Sequence, residues 1–384
     1  MKRLLSLFLI TISFISLLSF PVHGDGPNIQ AESAILMEAS TGQIIYEKNP
    51  DEVLAPASIT KIMTLIIIFD AIDSGQISLT DSVTVSEHAA SMGGSQVFLE
   101  AGEVQTVETL IKCIAIASAN DACVAMAEHI SSTEESFVNQ MNERAKGLKM
   151  NNTSFVNCCG LDASGHVTTA RDVAIMSREL ITTYPQIHDY SSIWMDSFTH
   201  VTRRGESQFT LSNTNKLLKQ YEWATGLKTG STDDAKFCLS ATAKRNDIEL
   251  ISVVMASPSG KTRVSDSIAL LNYGYSICNL YTDTDMPPLT PIQVKGSTEN
   301  QLKCQYKSNF TYLFLEKYDP LNISKDLEFT DSPKAPIAKG DVVGQLIYKH
   351  NEKVIGTVDI VACHDVKKSV FLDFVKMLWM ELLG

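Results

Sequence analysis

Ala55-Pro56-Ala57-Ser58-Ile59-Thr60-Lys61 is followed at once by the apolar run Ile62-Met63-Thr64-Leu65-Ile66-Ile67-Ile68-Phe69. The run predicts a buried helix from Pro56 to about Asp73, because proline is favoured in a first helical turn. Ser58 and Lys61 then lie one turn apart on the same face. A lysine desolvated by apolar neighbours can become the base that a weakly nucleophilic serine hydroxyl requires. Alone, S-x-x-K fits either this chemistry or a helix start with a solvated lysine.

Two later motifs supply polar groups that such a serine would need. Ser118 and Asn120 form S-x-N at a predicted junction between helices over 106–117 and 122–130, because Asn and Asp suit a helix cap better than a helix interior. Lys228-Thr229-Gly230 lies at the start of a predicted strand. In this order, the three motifs match the signature of penicillin-binding proteins and β-lactamases.

The order of predicted elements indicates an α+β fold. Strand-like segments lie near both ends of the first 280 residues, and helical segments lie between them. The simplest assembly is an antiparallel sheet flanked by helices. The strands are predicted over 33–37, 43–47, 237–243 and 249–256, and further helices over 134–148, 170–183 and 265–278.

The two ends of the chain predict export and a membrane contact. Residues 1–24 resemble a secretory signal peptide, with an uncleaved membrane anchor as the alternative. Either reading places the protein body outside the cytoplasm, at the membrane surface or secreted. Residues 365–384 predict an amphipathic helix that lies on the membrane surface or packs on its own domain.

Between these ends, the sequence predicts two domains. A first domain covers residues 25–283, and the linker 284–288 contains Thr284-Asp285-Met286-Pro287-Pro288. Residues 289–364 are rich in strand-like segments and predict a smaller all-β domain.

Composition excludes some functional classes. The formal net charge of −12 argues against nucleic acid as a partner. The eight cysteines are scattered, which favours buried free thiols over a disulfide framework. The sequence contains no H-x-x-x-H, H-x-x-E-H or C-x-x-C cluster, so it predicts no metal site and no cofactor.

The chain resembles the D-alanyl-D-alanine carboxypeptidase family, the low-molecular-weight penicillin-binding proteins, over about residues 30–364. That family has a β-rich domain after its catalytic domain and often ends in an amphipathic membrane-surface helix. The resemblance implies a peptidoglycan stem peptide as substrate and β-lactam antibiotics as inhibitors. Besides the motifs above, the stretches that carry it are Ser118–Ala122, Gly160–Asp162, Gly165–Asp172, Leu211–Asn215 and Gly226–Gly230.

The resemblance also implies catalytic roles. Ser58 would attack the carbonyl between two terminal D-alanines, Lys61 would take its proton, and Ser118 would relay a proton to the leaving amine. Lys61 would be the neutral base while Lys228 stays a fixed positive charge. Asn120 would bind the substrate amide.

The resemblance implies that the remaining site residues bind the terminal carboxylate and the main chain of the substrate. Thr229 would meet the terminal carboxylate, Gly230 would let the substrate add to the strand edge, and the N–H groups of Ser58 and Ser231 would form an oxyanion hole. Arg263 resembles the family's carboxylate-binding arginine, with a solvated surface arginine as the alternative.

Some residues depart from the family pattern. Ala119 replaces the usual glycine of S-x-N, and Ser231 stands where some members have histidine. Lys236 stands where glycine is usual, and Asn157-Cys158-Cys159-Gly160 replaces a proline-containing turn. His166 is interpreted as structural, because no acid–base role is left for it.

Three other functions use related residues. A β-lactamase would need a deacylating glutamate, and no convincing E-x-x-L-N lies between S-x-N and K-T-G. A catalytically silent peptidoglycan-binding or scaffolding protein would be expected to have lost one of the motifs. Transpeptidation is compatible with the same residues.

Overall fold

The structure is a computed structural model, and it describes residues 26–297, 299, 301–330, 333–370, 372, 373, 375 and 379. The predicted signal peptide over 1–24 lies outside the described residues, as does half of the predicted helix over 365–384. Among the residues that are described, no helix is both long and apolar enough to span a bilayer.

A five-stranded antiparallel sheet lies at the centre of the N-terminal part of the chain. The strands described there are β1 Ser33–Glu38, β2 Ile44–Lys48, β3 Ser82–Thr84, β4 Val104–Thr106, β5 Met195–Thr202, β6 Gly205–Ser212, β7 Ala224–Thr232, β8 Lys236–Arg245 and β9 Ile248–Ser257. The order in the central sheet is β2-β1-β9-β8-β7, so its strands come from both ends of this region. The predicted α+β fold is therefore confirmed.

Helices cover both faces of this sheet. They are α1 Lys61–Asp73, α2 Glu87–Ala90, α3 Val107–Ala117, α4 Asn120–Ser131, α5 Glu134–Gly147, α6 Ala170–Thr183, α7 His188–Ser191 and α8 Gly260–Ile277. Successive residues of β1 point to opposite faces. Ile35 and Met37 join the core formed with α1 and α3–α6, whereas Ala34 and Leu36 join the core formed with α8.

The segment with the serine–lysine pair differs in one respect from its prediction. A 3₁₀ turn over Ala57–Thr60 precedes α1, so the α-helix begins at Lys61 rather than at Pro56. Ser58 lies on the turn, and Lys61 is the first residue of the buried helix. Ala57 has a φ of 47°, which a regular right-handed helix does not permit. The turn therefore sets the direction of Ser58 independently of the helix axis.

Most other predicted elements agree with the structure. Helix α8 begins at Gly260, five residues before the predicted start, because Ser259 Oγ accepts the Thr262 N–H at 3.0 Å and caps the helix. The hairpin of β5 and β6 had no predicted counterpart.

The C-terminal part of the chain is all-β, as predicted. Its described strands are β10 Asn279–Thr282, β11 Ile292–Gln293, β12 Gln301–Leu302, β13 Cys304–Tyr306, β14 Thr311–Phe314, β15 Ile323–Phe329, β16 Val342–His350 and β17 Lys353–Ala362. The main sheet has the order β13-β17-β16-β15. Strand β10, which lies before the predicted linker, pairs with β14 beyond that linker.

Candidate active site

Ser58 and Lys61 are in direct contact. Lys61 Nζ lies 3.0 Å from Ser58 Oγ, 2.7 Å from Asn120 Oδ1 and 2.7 Å from the main-chain oxygen of Cys159. The Cys159 oxygen can only accept a hydrogen bond, and Asn120 Oδ1 likewise. A neutral amine has two N–H groups for these acceptors and one lone pair for the Ser58 hydroxyl. The contacts therefore suit a base that accepts the proton of Ser58.

Lys61 is fully buried, so the solvated-lysine alternative is wrong. Most of its neighbours along α1 are apolar core residues, and two of its three polar contacts come from distant parts of the chain. A buried amine retains this position only when fixed acceptors compensate for the lost water.

Asn120 is fixed from two sides by the glycine-rich loop over 91–95. Its Nδ2 donates to the Gly93 carbonyl at 2.7 Å, and its main-chain N–H donates to the Ser95 carbonyl at 2.7 Å. Because Nδ2 is bound to a carbonyl, Oδ1 must be the atom that faces Lys61. The loop thus sets the orientation of the amide.

Ser118 and Lys228 form the second polar pair of the site. Ser118 ends α3 in a left-handed conformation with a φ of 61°, and α4 begins two residues later. Lys228 Nζ on β7 donates to Ser118 Oγ at 2.9 Å and to the Thr229 carbonyl at 3.2 Å. The three sequence motifs therefore meet at one place.

A fixed positive charge is predicted for Lys228 from the sequence, and the structure places this amine in a buried position. Burial lowers the pKa of Lys228 well below its usual range, and a charge on Lys61 lowers this pKa further. Two neighbouring ammonium groups in a buried site repel each other. Burial in this site therefore disfavours the positive charge on Lys228.

Thr229 and Gly230, the rest of K-T-G, contact different parts of the chain. Thr229 Oγ1 lies 2.7 Å from Thr214 Oγ1. A Cβ atom at Gly230 would lie 2.9 Å from the Pro56 oxygen and 3.0 Å from Ala57 Cβ, so only glycine lets β7 approach the turn this closely. Ser231 follows on the same strand and is exposed.

Arg263 lies beside the same strand but is not a solvated surface residue, so that alternative is wrong. Its Nη1 donates to the Gly230 carbonyl at 3.0 Å and the Cys238 carbonyl at 3.3 Å. Burial lowers the pKa of the guanidinium. Its Nε is buried and has no hydrogen-bond partner among the described residues.

The turn over Asn157–Gly160 was not predicted to contribute to the site. Asn157 Oδ1 accepts the N–H groups of Cys159 at 3.1 Å and Gly160 at 2.7 Å. This arrangement holds the Cys159 carbonyl against Lys61. A main-chain carbonyl has no signature in a sequence, which is why this acceptor was missed.

His166 supports the serine turn from behind. Val156 N–H donates to His166 Nδ1 at 2.9 Å, so the neutral ring carries its proton on Nε2, which donates to Thr60 Oγ1 at 2.8 Å. Burial lowers the pKa of His166 to about 4. The residue is held neutral and fixes the turn between Ser58 and Lys61.

Two family descriptions match the chain. Residues 21–259 match the family described as D-alanyl-D-alanine carboxypeptidase. Residues 280–368 match the description "Penicillin-binding protein 5, C-terminal domain".

Named relatives agree with these matches over most of the chain. The D-alanyl-D-alanine carboxypeptidase DacF of Bacillus subtilis is 40% identical over 98% of this chain and 97% of its own length. DacA of Escherichia coli is 31% identical over 93% of this chain and 90% of its own length. The crystal structure of penicillin-binding protein 5 from Haemophilus influenzae superposes with a TM-score of 0.76 at 30% identity, over 89% of this chain and 99% of that chain. The chain therefore belongs to the D-alanyl-D-alanine carboxypeptidase family and is a serine-type hydrolase.

Proposed function

We propose that the protein removes the terminal D-alanine from peptidoglycan stem peptides through an acyl-enzyme on Ser58. The observation that carries this proposal is the contact of Lys61 Nζ with Ser58 Oγ, since the other two contacts of the amine leave its lone pair for the serine proton. The family implies the same substrate class and binding of β-lactams. The names of the relatives favour this activity over a β-lactamase or a silent scaffold.

In acylation, Ser58 Oγ forms a bond to the carbonyl carbon between the two D-alanines, and its proton passes to Lys61. Collapse of the tetrahedral intermediate breaks the amide bond, and the leaving amine takes a proton through Ser118. A water molecule then hydrolyses the ester, and the serine recovers its proton. Ser118 Oγ lies next to Lys228 Nζ, which supports this relay.

In this scheme the bound substrate favours the positive charge on Lys228. Burial lowers the pKa of this amine, and a nearby carboxylate raises the pKa of an amine. The terminal carboxylate of the substrate is the group that would do so, with Thr229 beside it. Arg263 Nε, which is buried without a partner among the described residues, is a further donor on the same side.

The substrate backbone is expected to lie along β7. Asn120 would bind the substrate amide, Gly230 would allow close approach, and the N–H groups of Ser58 and Ser231 would stabilise the oxyanion. Such a donor typically contributes about 3 kcal/mol to transition-state stabilisation. β7 is an edge strand of the sheet, which supports addition of an extended peptide.

The test compares the wild-type protein with Ser58→Ala. Both are incubated with a pentapeptide that ends in D-alanyl-D-alanine, and separately with a fluorescent penicillin. Wild type is expected to release D-alanine and form a covalent adduct, whereas Ser58→Ala does neither. Release of D-alanine by Ser58→Ala would contradict the proposal, and rapid turnover of penicillin with no peptide cleavage would identify a β-lactamase.

The family also supports an extracytoplasmic location. We propose that residues 1–24 direct export, that the domain boundaries lie at the linker 284–288, and that residues 365–384 bind the outer surface of the membrane. Deletion of residues 369–384 should move the signal-cleaved protein from the membrane pellet to the supernatant. Unchanged sedimentation of the truncated protein would contradict the anchor.

A further inference from the structure

A cluster of metal-ligating groups lies immediately behind the active site. Cys158 Sγ and Cys159 Sγ are 3.6 Å apart, and a carboxylate oxygen of Glu134 lies with both sulfurs in a group whose atoms are all within 4.8 Å of one another. Glu134 begins α5, and the two cysteines belong to the turn after that helix. Cys159 Sγ also lies 3.5 Å from the main-chain oxygen of Asn120, so the cluster adjoins the active site.

We propose that Glu134, Cys158 and Cys159 bind one thiophilic divalent cation of the zinc class. The sequence contains no metal-binding motif at this site, because Glu134 and the cysteine pair are 24 residues apart.

The sulfur separation suits such an ion. Zinc bonds thiolate sulfur at roughly 2.3 Å, and tetrahedral geometry then separates two sulfurs by roughly 3.8 Å. The observed 3.6 Å is close to that value. Two thiolates select zinc-class ions over magnesium or calcium, which prefer oxygen ligands.

Binding of the ion requires both cysteines as thiolates. The two thiols lose their protons to solvent when the ion binds, and the Glu134 carboxylate adds its own negative charge. The complex then carries one net negative charge.

Glu134 gives the cluster both a fixed position and a path to solvent. Its Oε1 accepts the Cys158 N–H at 3.1 Å, and its Oε2 lies 3.1 Å from His88 Nε2. Both cysteines are buried, whereas the Glu134 side chain is 19% exposed. An ion would therefore enter past the carboxylate.

The test titrates the reduced full-length protein with Cd²⁺, because cadmium thiolates absorb in the ultraviolet by charge transfer. One Cd²⁺ per chain is expected, and Zn²⁺ should remove the band by competition. Cys158→Ala and Glu134→Gln should each weaken Cd²⁺ binding at least about tenfold. Cys113→Ala removes a buried thiol from another part of the core and should bind as wild type does.

Three results would overturn the site. They are the absence of the charge-transfer band, equal affinity of Glu134→Gln and wild type, and a thiol count showing that Cys158 or Cys159 is already oxidised in the purified protein. Glu134→Gln keeps the partly exposed side chain almost unchanged in size, so it remains informative if Cys158→Ala does not fold. Circular dichroism checks the fold of each variant.

A bound ion would also affect the reaction, and this step rests on the proposed function. Drawing Cys159 toward the ion moves the carbonyl that accepts from Lys61. Zn²⁺ should therefore slow acylation of wild type by penicillin but not of Glu134→Gln. Cd²⁺ binding without slower acylation would overturn only this coupling, whereas the titration tests the site itself.

Discussion

Lys61 Nζ lies 2.7 Å from the main-chain oxygen of Cys159, a contact that joins the catalytic amine to a turn 98 residues later in the chain. This oxygen and Asn120 Oδ1 each accept one N–H group of the neutral amine. The lone pair of Lys61 Nζ then faces the Ser58 hydroxyl. The base is therefore oriented by parts of the chain that do not themselves react.

Replacement of Lys61 by arginine tests whether the amine acts as a base. Arginine keeps the positive charge but does not lose its proton in proteins. Lys61→Arg is expected to slow acylation by a fluorescent penicillin by about 10²-fold or more, the usual contribution of a general base. Lys112→Arg, at a partly exposed position of α3, should react at the wild-type rate. An equally fast Lys61→Arg would show that the charge alone matters.

The buried amine of Lys228 is expected to lower the free energy of unfolding of the protein. Its pKa is lowered in the folded state, so the unfolded chain binds more protons and the free energy of unfolding rises with pH up to the unfolded pKa near ~10.4. Each unit of lowering corresponds to about 1.4 kcal/mol. Lys228→Met should remove this pH dependence and raise stability at neutral pH.

Urea unfolding of Lys228→Met at several pH values measures this effect. Lys216→Met, at an exposed position, controls for the loss of a lysine. A variant that retains the wild-type slope of unfolding free energy against pH would contradict the assignment to Lys228.

The lowered pKa of His166 predicts that the protein loses stability in acid. The pKa of His166 falls from 6.5 to about 4 on folding. Between these pH values the unfolded chain binds a proton at His166 and the folded chain does not. The stability that neutral His166 contributes is complete above pH ~6.5 and is lost as the pH falls toward ~4, by about 3 kcal/mol. His166→Gln should have a shallower dependence in this window, because glutamine does not titrate.

The matched control for this prediction is His364→Gln, which removes a more exposed histidine from the C-terminal sheet region. It should show the wild-type dependence of unfolding free energy on pH. Identical curves for His166→Gln and wild type would mean that another group titrates.

A side chain at Gly160 is expected to clash with the turn that carries Ser58. A Cβ atom there would lie 1.8 Å from the Ala57 oxygen, and the φ of Gly160 is +86°. Gly165 has a similar φ of +83°, but a Cβ atom added there would have no atom within 4 Å. Gly165→Ala therefore measures the cost of backbone strain without the steric contact. Gly160→Ala should lose stability beyond Gly165→Ala by about 1–3 kcal/mol and should acylate more slowly.

Thermal unfolding and penicillin acylation of the two alanine variants check this difference. Equal stabilities and equal acylation rates would show that the turn around Ser58 can move without cost.

Local sequence signals predicted the elements that carry the reactive side chains. The apolar run after Lys61, the capped helix before Ser118 and the strand at Lys228 each have a pattern that a short window contains. Their meeting in space followed from the resemblance to a known family rather than from periodicity.

The rest depends on contacts between distant backbone groups. The carbonyls of Gly93 and Cys159, which orient Asn120 and Lys61, look like any other peptide groups in a sequence. The 3₁₀ turn at Ser58 was missed because packing against β7, at Gly230, selects it over a longer helix. The early start of α8 rested on a single cap at Ser259.

Ser58 as the residue that carries the acyl group can be checked by mass spectrometry. The wild-type protein is incubated with benzylpenicillin, digested and mapped, beside Ser58→Ala treated in the same way. One adduct is predicted, on the peptide that contains Ser58, and none in the variant. An adduct on a different residue, or an adduct that persists in Ser58→Ala, would contradict the assignment of Ser58 as the nucleophile.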